Sequence, residues 1–61
     1  MRVGQTIQNI HTQAIYTIIE VESVDMGDSM KAVYTISNED FEIIRFNADY
    51  LSNWSVINEG E

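Results

Sequence analysis

Seven carboxylates, Glu20, Glu22, Asp25, Asp28, Glu39, Asp40 and Glu42, share the stretch between positions 20 and 42 with one basic side chain, Lys31. Paired carboxylates perform acid/base chemistry when one of them is buried and its proton affinity raised. These acids instead sit in turn-forming sequence or alternate with apolar residues, which predicts a solvated face. Asp25, Asp28 and Glu22 carry the oxygen ligands that calcium prefers, but the calcium-loop spacing is absent and ordinary turn chemistry accounts for both aspartates. His11 is the only histidine, and no nucleophile elbow or phosphate-binding loop accompanies it. No catalytic residue, cofactor site or metal site is therefore expected, and the chain reads as non-enzymatic. Tyr16, Tyr34, Tyr50 and Trp54 could cage a cationic ligand through their ring faces. In so small a domain at least Tyr34 and Trp54 are expected to serve the core, because aromatics supply much of its buried area.

The elements that must carry these residues are strands. β-branched and aromatic residues are dense in short runs separated by turn clusters, and proline is absent. Strands are predicted at about Thr6–Ile10, Ile15–Val24, Met30–Ser37, Phe41–Asn47 and Trp54–Ile57. Asp25-Met26-Gly27-Asp28 makes the first hairpin turn, with a glycine free to take positive φ; Ser37-Asn38-Glu39-Asp40 makes the second. Four-residue loops would set Val21 opposite Ala32, Glu22 opposite Lys31, Ile36 opposite Phe41 and Tyr34 opposite Ile43. Ile19, Val21, Tyr34, Ile36, Phe41 and Ile43 would then form one apolar face. The adjacent pairs Ile18-Ile19 and Ile43-Ile44 break the period of two, as happens where a strand bends or bulges. Ala48–Asn53 suits a single helical turn packing Tyr50 or Leu51 over one end of the molecule. Residues 1–57 form the domain and 58–61 a frayed acidic tail.

Sixty-one residues make one small domain that buries only about 60% of its unfolded surface, so its stability is expected to be marginal. No cysteine is present, which removes disulfides and thiolate metal sites and leaves oligomerisation as a further source of stability. A homodimer is one possibility. The net charge of −7 repels phosphate backbones, and three basic residues cannot displace many counterions, so direct nucleic-acid binding is not expected. Neither a leader-like apolar run at Met1-Arg2-Val3-Gly4 nor a membrane-spanning stretch is present, which suggests a cytoplasmic protein.

The order of a short first strand, a long bent second strand, two hairpin-linked strands, a helical turn and a closing strand resembles the SH3-like barrel over roughly residues 3–57. Val3-Gly4-Gln5-Thr6-Ile7, Ile15-Tyr16-Thr17-Ile18-Ile19-Glu20-Val21 and Asn53-Trp54-Ser55-Val56-Ile57 look like the layout of small uncharacterised bacteriophage and prophage proteins. The likeness implies an all-β, five-stranded antiparallel barrel with one short helical turn before the last strand. It would place the protein in the host cell cytoplasm, but it brings no catalytic residues. The aromatic groove segment of the signalling SH3 domains is missing.

Closure decides what becomes of Val33, Ile44 and Phe46, which the expected register puts opposite the core beside Glu20, Glu22 and Glu42. A closed barrel buries some of them, and closure is the expectation because it removes exposed edges. An open sheet leaves an apolar centre with an acidic rim, the anatomy of a binding patch. The leading functional expectation is an accessory or inhibitor protein, phage- or mobile-element-encoded, that docks an acidic face on a basic surface of a host protein. Glu20, Glu22, Asp25, Asp28, Glu39, Asp40 and Glu42 would steer it and Phe46 or Met26 would anchor it. A sharper form is nucleic-acid mimicry against a nucleic-acid-processing enzyme. The alternatives are a homo-oligomeric assembly protein and an oligomeric trap for a small ligand or nucleotide.

Overall fold

A computed structural model describes residues 1–25 and 27–58. The five strands are β1 Thr6–Asn9, β2 Ile15–Asp25, β3 Met30–Ser37, β4 Ile43–Asn47 and β5 Trp54–Asn58, with a 3-10 turn at Ala48–Asn53 between the last two. They form one antiparallel sheet in the order β4-β3-β2-β1-β5. Expected and observed strands agree closely: β1 ends one residue earlier, β2 and β5 each run one residue further, and β4 begins two residues later.

The expected SH3-like barrel is not formed: the sheet is open, with β4 and β5 as its two edges. Side chains bridge the gap instead. Phe46 near the end of β4 stacks on Trp54 at the start of β5, with ring centroids 5.4 Å apart and planes 10° apart. Tyr34 lies 5.5 Å from Phe46, and Tyr16 meets Trp54 edge-on at 5.5 Å. This chain of rings joins β3, β4, β5 and β2 over the inner face without any ladder between the edges. Ile7, Ile18 and Ile36 are fully buried beneath it, with Tyr16 and Tyr34 beside them. Tyr34 and Trp54 thus serve the core, as expected, and Tyr50 stands exposed on the 3-10 turn while Leu51 packs inward.

Both hairpin registers differ from the expected ones, with unequal consequences. In the first, Val21 faces Tyr34 rather than Ala32, and Glu22 faces Val33 rather than Lys31. That slip is even, so each residue keeps its face. Gly27 takes the expected positive φ of 98°, and Asp25 accepts a hydrogen bond from the Gly27 N–H at 2.9 Å. Further along, the register shifts between Ile18 and Glu20, leaving Ile19 unpaired as a bulge. The bulge reverses the alternation, so that Tyr16 and Ile18 point inward while Ile19 is exposed.

The second hairpin slips by an odd number of residues: Tyr34 faces Phe46 rather than Ile43, and Ile36 faces Ile44 rather than Phe41. An odd slip exchanges the faces of a whole strand. The cause is the loop, which runs from Asn38 to Glu42. Asn38 Oδ1 accepts from the N–H groups of Asp40 and Glu42, and the Phe41 N–H donates to the Asn38 carbonyl. Phe41 adopts φ 62° to complete the turn. Phe46 is therefore half-buried against the core rather than exposed as an anchor, and Ile44 turns to the inner side at the open edge. Phe41 and Ile43 point outward, at 86% and 63% exposure.

Candidate functional site

Strand alternation assigns the outer face, because residues next to the buried Tyr34 and Ile36 must point away from them. Thr35 is one, and opposite it stand Glu20 on β2 and Arg45 on β4. Val33 is the next, half-buried, with Glu22 and Asn47 as neighbours. Arg45 crosses β3 to form an ion pair with Glu22, and Lys31 pairs with Asp49 at 2.5 Å rather than with Glu22. The outer face is therefore partly neutralised where the sequence suggests a continuous acidic surface. Among the described residues, Glu20, Asp28, Glu39, Asp40 and Glu42 form no ion pair.

The seven central carboxylates fall into three places. Asp25, the last residue of β2, and Asp28 flank the β2–β3 turn, Glu20 and Glu22 lie along β2, and Glu39, Asp40 and Glu42 crowd onto the β3–β4 loop. Eight residues of β3 separate the turn from the loop, which at about 3.3 Å per residue exceeds 20 Å. One small ligand cannot span both ends. Met26 lies outside the described residues, as do Glu59, Gly60 and Glu61 of the expected tail. No group of three or more histidine or carboxylate side chains among the described residues could hold a metal ion. Nor is any described helix long and apolar enough to cross a membrane.

The loop end has a feature that the sequence reading misses. A shallow groove of about 400 Å³ runs beside the loop, lined by Ile15, Thr17 and Ile19 of β2, Ser37 of β3, and Glu39 and Phe41 of the loop. Ile15, Ile19 and Phe41 are all exposed there. Two of them were expected inside the fold. Phe41 is displaced by the five-residue loop, and Ile19 by the bulge. The adjacent Ile18-Ile19 pair carries the available signal, since a bulge at that pair must turn one isoleucine outward. Nothing comparable marks Phe41, whose position depends on how Asn38 closes the loop.

His11 stands exposed in the β1–β2 loop with Nε2 3.3 Å from Asn53 Oδ1, a tether between that loop and the 3-10 turn. Asn9 Oδ1 organises the same loop by accepting from the N–H groups of His11 and Thr12. Tyr16, Tyr34 and Trp54 turn their rings towards one another and Phe46 rather than around a cation site. No protein-family model, curated protein or solved structure matches the chain.

Proposed function

We propose that this protein is a non-enzymatic interaction module that captures a basic surface of another protein with the β3–β4 end of its sheet. One observation carries the reading: a phenylalanine 86% exposed, held at positive φ, amid the unpaired carboxylates of Glu39, Asp40 and Glu42. An apolar anchor within a charged rim is the usual anatomy of a protein-binding patch. The groove floored by Ile15 and Ile19 extends the apolar centre beyond the loop. Carboxylates around it would draw in a cationic partner and reject acidic ones, affecting association rate more than final affinity.

The test compares three baits in affinity capture at low salt: wild type, Phe41→Ser, and Glu39→Lys/Asp40→Lys/Glu42→Lys. Wild type should retain basic proteins that both variants release, although both variants stay folded by circular dichroism. Identical captures by all three would overturn the reading. Charge at Glu22 is a poor choice for reversal, because a lysine there would face Arg45.

A further inference from the structure

We infer that the free edge of β4 accepts an extended, basic segment of the partner as a sixth strand. This inference rests on the interaction reading above and specifies how capture occurs. Asn38 N–H donates to the Glu42 carbonyl, one step beyond the Ser37/Ile43 pair at which the β3–β4 register ends. In an antiparallel ladder such hydrogen-bonded pairs alternate with non-bonded ones. Ile36/Ile44 and Tyr34/Phe46 are thus the bonded pairs, while Ile43 and Arg45 direct their backbone N–H and C=O groups away from β3. Among the described residues no strand lies on that side, because β4 is the outermost strand of the sheet.

Natural sheets blunt such an edge with proline, lysine, a bulge or a cover. Positions 43–47 read Ile-Ile-Arg-Phe-Asn, with no proline or lysine and an unbroken register to β3, and the one arginine is engaged by Glu22. Ile43 and Ile44 are both exposed beside the open ladder. Charge selects the occupant. Glu42 immediately precedes the edge, Glu39 and Asp40 stand on the loop before it, and none of the three is paired. A second copy would bring the same carboxylates and its own net charge of −7 against them. A segment alternating lysine or arginine with β-branched residues would satisfy the backbone groups, lay its apolar side chains beside one of the two isoleucines, which lie on opposite faces, and bring its cations to the carboxylates. Along β5 itself, Trp54–Asn58 holds no ionisable side chain.

The experiment uses the full chain and an eight-residue peptide alternating Lys and Val, followed by backbone amide hydrogen exchange. At saturating peptide, exchange at Ile43 and Arg45 should slow by about tenfold or more, as expected when a solvent-facing amide enters a ladder. Ile43→Pro removes an outward N–H without touching the bonds to β3 and should abolish binding, whereas Ile43→Ala should largely keep it. Should the proline variant not fold, the exchange measurement on wild type still decides. Salt-sensitive binding with unchanged exchange at Ile43 and Arg45 would overturn strand addition while leaving the interaction reading intact. Protection at Val56, whose amide faces away from β1, would also overturn it, as would slowed exchange at Ile43 and Arg45 that rises with protein concentration without peptide, the mark of a second copy. Failure of the peptide to bind at low salt would count against both readings.

Discussion

Phe41 holds a left-handed backbone conformation, φ 62°, that costs an ordinary side chain about 1–2 kcal/mol. Its ring contributes little burial in return, being 86% exposed. Replacing it with glycine should therefore leave stability unchanged or raise it by up to about 1 kcal/mol, the relief of strain being partly offset by a more flexible unfolded chain. Urea denaturation would measure this, and the same variant should lose partner capture. A gain in stability coupled to a loss of binding would identify a residue retained for recognition. Asn38 is its structural counterpart. Its side chain satisfies the N–H groups of Asp40 and Glu42, so Asn38→Ala should cost about 1–2 kcal/mol and speed amide exchange at those two positions. Asn38→Asp keeps the acceptor oxygens and should restore most of that loss.

At the level of elements, the bulge in β2 makes two neighbouring isoleucines unequal. Ile18 is fully buried opposite Ile36, whereas Ile19 is unpaired and nearly half exposed. Ile18→Ala should cost about 2–4 kcal/mol, enough to populate unfolded chain in so small a domain. Ile19→Ala should cost less than about 1 kcal/mol. Equal losses at the two positions would mean that the bulge is misplaced. Phe46 and Trp54 perform for β4 and β5 what a hydrogen-bonded ladder performs elsewhere in the sheet. The 3-10 turn between them is fixed at its start by Asn47, whose side chain accepts from the Asp49 N–H at 2.9 Å.

Over the whole molecule, charge acts in two opposed ways. Ten acidic residues against three basic ones impose self-repulsion on the folded state, because compaction brings like charges together. The ion pairs Lys31–Asp49 and Glu22–Arg45 are exposed to solvent and offset little of it. Raising ionic strength from about 10 mM to about 500 mM shortens the screening length severalfold. Thermal stability should rise modestly with added salt while association with a basic partner slows. A melting temperature that falls with salt would show that the surface ion pairs outweigh the repulsion.

Much of this molecule is legible in local chemistry. The strands follow from β-branched density, Gly27 from the need for positive φ in a tight turn, and the helical turn from six residues too few to make a helix of their own. The Ile18-Ile19 pair announces a bend. Register is a different matter, because a hairpin is pinned by the closure of its loop, and Asn38 adds a residue through side-chain bonds that composition does not display. That odd offset exchanged Phe41 and Ile43 for Ile44 and Phe46 across the sheet, moving the expected anchor into the core and a core candidate into solvent. The open edge was equally undecidable from the chain alone, since β4 and β5 meet through stacked rings rather than a ladder. Acidity, strand content and turn positions are properties of neighbouring residues; which face is greasy and which edge is free depend on long-range pairing, where a displacement of one residue reverses the outcome.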